Sequence, residues 1–204
     1  MSIVVEHDKR RYEILEKALD VFVEEGFEDV TFQKIADRCG ITRTTLYIYF
    51  KNKKDIFNFS IKQFLSVLEE TIAGIRSTSG LSHTEKLIRV MTVIIERIEE
   101  NRRLLSVVLN YLIYMSKGDY DPDYRVRRRT VRMRRILGAM FIEGMRDGEF
   151  STALKLKDAN ELLYSFIEAA IFRMVVLRRS SVQELKDAVK LAVLRFASEK
   201  SHGV

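Results

Sequence analysis

The chain has little with which to punctuate or cross-link itself: among 204 residues there is one proline, one cysteine, nine glycines and no tryptophan. A single thiol, Cys39, excludes a disulfide framework and the small secreted scaffolds that depend on one. So few prolines and glycines leave scant material for tight turns, which favours helices over a hairpin-rich sheet. Uncharged apolar runs are short. The longest, residues 104–116, falls below the ~20 residues a bilayer-spanning helix needs. Residues 1–11 are charged and carry no apolar stretch of signal-peptide type, so a cytoplasmic protein is expected.

What is present is enough for a packed core: 47% of residues are hydrophobic against 31% charged, which excludes a disordered chain. The formal net charge of +6 invites nucleic acid, but its distribution matters more than its sum. Residues 1–60 hold ten basic and eleven acidic side chains, a net −1, so the surplus lies downstream.

Apolar residues recur at helical spacing nearly throughout. Ile14, Leu15, Ala18, Leu19 and Phe22 make one stripe, and Gly26 ends it. Thr31 caps a second helix running to about Arg38, Thr42 caps a third through Tyr49, and residues 52–54 open a longer fourth. Further helices are predicted over 84–100, 102–116, 124–147, 158–179 and 182–198. No strand-like alternation, repeat or low-complexity tract appears. An all-α fold is expected, with a small N-terminal unit (residues 1–52) joined by a long helix to a larger bundle (residues 53–204).

Residues 32–51, FQKIADRCGITRTTLYIYFK, meet the requirements of a helix-turn-helix together. Ala36 is small where the two helices must approach, Gly40 tolerates the turn, and Ile35, Ile41, Leu46 and Phe50 supply the inner faces. The second helix would then present Thr42, Arg43, Thr44 and Thr45 to base edges in the major groove. An arginine there can bond guanine bidentately, and threonines offer a hydroxyl or meet a thymine methyl. Tyr47 and Tyr49 reach toward phosphates, and Lys53 offers a cation beside free N–H groups at a helix start. Six basic residues against one acid between Gln33 and Lys54 focus positive charge on this strip.

The stretch ILEKALDVFVEEGFEDVTFQKIADRCGITRTTLYIYFKNKKDIF resembles the N-terminal domain of the TetR family of bacterial transcriptional regulators, above all in EEGFEDVT, IADRCGIT and TLYIYFKNKKDIF. The resemblance covers about the first quarter of the chain. It implies DNA contacts at Thr31 and Gln33, base contacts at Arg43, Thr44 and Thr45, and phosphate contacts at Tyr47, Tyr49 and Lys53. It also implies a ligand-sensing, dimerising bundle downstream, and hence a homodimeric regulator of palindromic double-stranded DNA, a repressor released by a small-molecule effector. A DNA-binding accessory protein of the same family without a small-molecule switch is the alternative.

On that reading two C-terminal helices pair with their copies through Leu162, Phe166, Ala169, Ala170, Arg173 and Leu177 on one and Leu185, Val189, Ala192 and Phe196 on the other. Residues 102–116 have almost no polar face, so that helix is expected to be buried across the centre of the sensing domain. Tyr111, Tyr114, Met115, Met140, Phe141, Met145 and Phe166 are candidates to line an adaptable pocket for a largely apolar effector. Seven arginines between Arg125 and Arg135 cannot all share one helical face. They are either solvated and paired with carboxylates, or one or two turn inward toward an anionic head group.

Metal and catalytic patterns fail. Asp119, Asp121 and Asp123 imitate the start of a calcium loop, but Pro122 interrupts it, Tyr124 stands where glycine is needed, and Thr130 replaces the final glutamate. His7, His83 and His202 are scattered, and no nucleophilic triad or phosphate-binding glycine loop occurs. No cofactor, metal or enzymatic activity is expected. Cys39 reads as a small buried hydrophobe.

Overall fold

The computed structural model describes residues 3–116, 122–179 and 181–197, with side chains described outside 3–5 and 115–130. Among these residues the protein is all-α: α1 (Ile3–Asp29), α2 (Phe32–Cys39), α3 (Arg43–Tyr49), α4 (Lys53–Ser77), α5 (His83–Glu100), α6 (Arg102–Ser116), α7 (Pro122–Arg146), α8 (Leu156–Ile171) and α9 (Gln183–Leu194). An antiparallel bridge joins Phe150 to Ala197. None of the described helices is long and apolar enough to cross a membrane.

Two compact units emerge. One holds residues 1–67 and 103–120, the other residues 68–102 and 121–204. The helix α4 therefore contributes its first part to one unit and its last turns to the other, and α6 belongs mostly to the first.

The first unit is built on α1, which runs three turns upstream of the stripe that begins at Ile14 and breaks at Gly26, where φ is 80°. Ile14, Ala18, Val21 and Phe22 are buried with Ile35, Ala36, Leu46, Phe50, Ile56 and Phe57. The expectation for α6 is overturned here. Its Leu104, Val107 and Tyr111 enter this same core, not the centre of the downstream bundle. Tyr111 packs edge-on to Phe27 at 4.6 Å and against Phe57 at 5.0 Å. Aromatic pairs at such separations prefer tilted or edge-to-face packing, as found.

In the second unit the central helix is α5, against which α7, α8 and α9 all pack. Its ridge of Leu87, Val90, Met91, Ile94, Ile95 and Ile98 is fully buried. A capping box sets its start: the Ser82 hydroxyl accepts from Glu85 N at 3.1 Å and the Glu85 carboxylate accepts from Ser82 N at 2.9 Å. Two donors to that carboxylate, the Ser82 backbone N–H first and then the Ser82 hydroxyl at 3.0 Å, hold the Glu85 carboxyl below its usual range. The Glu149 carboxylate accepts from His83 N (2.9 Å) and Thr84 N (3.1 Å), tying the turn after α7 to the positive end of α5.

Two predicted helices end earlier than their apolar spacing suggests. The segment 158–179 is α8 followed by a π-helical turn, Phe172–Val176, and Leu177 N bonds Phe172 O across that turn at 3.1 Å. Arg178 then takes a left-handed φ of 50°, which ends the helix. The helix α9 stops at Leu194, short of residue 198.

Candidate nucleic-acid interface

The helix-turn-helix is held by local devices. Thr31 accepts a hydrogen bond from Lys34 N at 3.2 Å and starts α2. Gly40 adopts φ 67°, ψ 32°, and lets the chain reverse within one residue while Ile41 N bonds Ala36 O at 3.1 Å. A side chain at Gly40 would meet a left-handed backbone that only glycine adopts without cost. Ala36 and Leu46 are fully buried between the two helices.

Thr42 opens the recognition helix α3. Its hydroxyl oxygen accepts from Thr45 N at 3.0 Å and lies 2.8 Å from the Thr45 hydroxyl, so these two threonines cap the helix together. Thr42→Ala is expected to cost about 1 kcal/mol of stability, and Thr42→Ser to restore most of it. Urea unfolding of the three proteins measures this; equal midpoints would mean the cap contributes nothing.

Of the side chains expected to meet DNA, Arg43, Thr44 and Tyr47 are exposed on α3. The Arg43 guanidinium donates to the Tyr47 hydroxyl at 3.1 Å and lies 5.6 Å from its ring centre. Phe32 backs that ring at 4.8 Å, so Tyr47 is propped outward from α2. Tyr49 is half-buried and packs on His7 of α1 at 4.8 Å. Gln33 is exposed, and its amide donates to Asp37 at 2.7 Å.

Lys53 is placed differently from the outward cation expected of it. Its ammonium donates to the backbone oxygens of Phe27 (2.9 Å), Glu28 (2.6 Å) and Val30 (2.8 Å), closing the end of α1. Burial lowers its pKa, with Asp29 and Glu28 opposing. The start of α4 is instead capped by Asn52, whose side-chain oxygen accepts from Asp55 N at 2.9 Å.

The basic strip is thinner than its count. Lys34 pairs with Glu25, and Arg38 pairs with Glu24. The Arg38 hydrogen bond is the largest cause holding the Glu24 carboxyl below its usual range. Acids of α1 thus neutralise the cations of α2. Arg43, Lys51 and Lys54 have no carboxylate partner among the described residues. One exposed side chain of α3 escapes a reading based on apolar spacing: Ile48, which is 67% exposed. Isoleucine at that spacing reads as core, and only its place opposite buried Leu46 on a helical wheel reveals otherwise.

The first unit matches the family model for bacterial regulatory proteins of the tetR family over residues 14–58. Over a longer span, the chain is 30% identical across 158 residues to the HTH-type transcriptional repressor KstR2 of Mycolicibacterium smegmatis, covering 78% of this chain and 74% of that protein. The chain belongs to the TetR family. It is also 24% identical over 168 residues to the fatty acid metabolism regulator protein of Bacillus subtilis, covering 80% of this chain and 82% of the other. The fold is similar to that of the fatty acid degradation regulator FadR from Bacillus halodurans, with a TM-score of 0.70 at 20% identity, over 91% of this chain and 94% of that one. As a TetR-family protein it is a DNA-binding transcriptional regulator, and the names of the relatives reported are also those of regulators.

The residues expected to line an effector pocket do not gather in one place. Tyr111 is buried in the first unit, and Tyr114, on the same helix, is exposed. Met140 and Phe141 are buried in the second unit, where Phe141 packs against Phe150 (5.7 Å) and Phe196 (5.2 Å); Met145 and Phe166 are half-buried. The side chain of Met115 lies outside the described residues, as do those of Asp119, Asp121, Asp123, Arg125, Arg127, Arg128 and Arg129. Arg132 pairs with Glu69, and Arg134 pairs with Glu161 while stacking 3.9 Å over the Tyr164 ring.

The two C-terminal stripes also divide. Ala170, Leu185, Val189 and Phe196 are buried within the second unit's own core, while Ala169, Phe166, Arg173 and Ala192 are half-buried. Leu162 and Leu177 are exposed, together with Phe172, Val176, Leu191 and Leu194, which the sequence pattern had not singled out.

Proposed function

We propose that the protein is a homodimeric repressor that binds a palindromic operator in double-stranded DNA and is released by a largely apolar small-molecule effector. The observation that carries the dimer is the outward apolar surface of the second unit: Leu162, Phe172, Val176, Leu177, Leu191 and Leu194 lie on α8, the π-helical turn and α9. Large apolar side chains left exposed on neighbouring helices point to an interaction site. A second copy is the occupant that also supplies a second α3 for an inverted half-site.

Residues 1–52 are the reader in this proposal, and residues 53–204 the effector-binding and dimerisation part. Arg43 and Thr44 address bases, while Tyr47, Gln33, Thr31 and the backbone N–H groups at the start of α4 address phosphates. The covalent continuity of α4 through both units gives the effector a route to the reader. Half-sites on one face of DNA repeat at about 34–36 Å or multiples of it, so a shift of a few ångström in the spacing of two α3 helices loses both half-sites together. The names of the relatives, concerned with fatty acid metabolism in one case, suit an apolar ligand whose pocket would draw on Met140, Phe141, Met145 and Phe166.

The test combines sedimentation with a DNA titration on a duplex recovered from a randomised library. A dimer is expected to occupy two inverted half-sites, and a long-chain fatty acid to weaken binding at least tenfold. A monomer on a single half-site would remove the dimer. A dimer whose affinity no such compound moved would instead be a DNA-binding accessory protein without a small-molecule switch.

A further inference from the structure

The crest of the recognition helix is apolar. At 3.6 residues per turn, Thr44 and Ile48 stand about 160° to either side of buried Leu46 and so straddle the direction that faces away from the protein. Arg43 and Tyr47 share one flank of α3 and are joined by their hydrogen bond. Thr45 lies on the other flank, its hydroxyl paired with that of Thr42 in the cap. The centre is left to the Thr44 side chain and the four carbons of Ile48. Among the described residues no large apolar side chain is more exposed than Ile48, at 67%.

That placement is costly on two counts. The side chain leaves apolar area in water, and a β-branched residue is a weaker helix former than the straight-chain polar residues that usually fill an exposed position. Isoleucine can neither donate nor accept a hydrogen bond, so it reads nothing polar. In the major groove only one base-edge group is apolar, the C5-methyl of thymine. We infer that Ile48 is a specificity-determining residue that packs against a thymine methyl in each half-site, with the methyl group of Thr44 beside it. The inference rests on the DNA-reading role of α3 and adds to it the base that the middle of the helix selects.

Deoxyuridine tests this directly, because it differs from thymidine by that methyl alone and pairs identically. A duplex recovered from a randomised library by the full-length protein is resynthesised with single thymine-to-uracil replacements, and each is titrated with wild type, Ile48→Ala and Ile48→Val. One symmetry-related thymine position is expected to lose about three- to fivefold in affinity per half-site with wild type, as burial of one methyl group implies. The same replacement is expected to cost Ile48→Ala nothing, and Ile48→Val an intermediate amount. Because Ile48 is exposed, neither variant loses core packing, and circular dichroism confirms that both fold. If every uracil duplex bound wild type as tightly as its thymine parent, or if uracil cost wild type and Ile48→Ala the same, the inference would be overturned while DNA reading by α3 stood. Recovery of no bound duplex at all would overturn both.

Discussion

Arg43→Ala is expected to weaken binding to a selected duplex by about tenfold to a hundredfold per half-site and to relax the preference at one base pair. A bidentate arginine–guanine pair is worth ~1–3 kcal/mol of discrimination against the wrong base. The side chain is free to supply it: Arg43 is exposed, carries no carboxylate partner among the described residues, and makes its one internal hydrogen bond to Tyr47, itself exposed. The thermal midpoint should therefore stay within about a degree of wild type, since surface substitutions away from such features change stability by about 0.5 kcal/mol or less. Arg43→Lys separates base reading from charge, because an ammonium keeps the charge but loses the planar fork. Should Arg43→Ala weaken all sequences alike and reduce the salt slope by about one per half-site, the guanidinium would be a phosphate anchor and not a base reader.

The largest expected loss of stability comes from adding a single methyl group at Gly144. A Cβ at that position would stand 2.3 Å from Cδ2 and 2.5 Å from Cε2 of Phe150. The ring cannot simply withdraw. It is fully buried beside Phe141, and its backbone is fixed by Phe150 N to Gly144 O at 3.1 Å, Ser151 N to Phe196 O at 3.2 Å, and the bridge to Ala197. Overpacking of this kind costs ~1–3 kcal/mol and occasionally more, against which alanine recovers about 1 kcal/mol of helix propensity. Gly144→Ala is expected to lower stability by up to about 2 kcal/mol net, and Gly144→Val by more. For a chain of this length that is a fall of about 4–8 °C in the melting midpoint. Phe150→Leu in the Gly144→Ala background should cost less than it does alone, since the smaller side chain vacates the contested space. A rise in midpoint for Gly144→Ala would show that the ring moves aside at little cost.

Some of this architecture is legible in one dimension because it depends on neighbours three or four residues apart. Thr31, Thr42 and the Gly40 turn act on backbone groups within that reach. The Ala36, Gly40 and Leu46 spacing likewise describes two helices joined by a turn too short to leave alternatives. The end of α8 is not legible in the apolar spacing, because a π-helical turn at Phe172–Val176 continues the helix while changing the hydrogen-bond ladder.

The candidate reader was only partly legible. Counting charge placed six cations in the strip, yet Lys34 and Arg38 spend theirs on Glu25 and Glu24, and Lys53 spends its own on the end of α1. Such partners lie nine to twenty-six residues away in the chain, beyond any local rule. What remained outward, Arg43 with Tyr47 and the bare crest at Ile48, appears only once the inward face of α3 is known.

The sequence by itself determined where most of the helices run and the helix-turn-helix within residues 32–51, since periodicity, caps and turn residues act locally, and its first quarter carried the resemblance to the TetR family. Only the tertiary structure decided that α6 completes the core of the first unit and that α5 organises the second. The physical reason is that a helix apolar on all sides, as α6 nearly is, has no polar face to exclude a partner. Its place was settled by fit, with Tyr111 packed against Phe27 and Phe57.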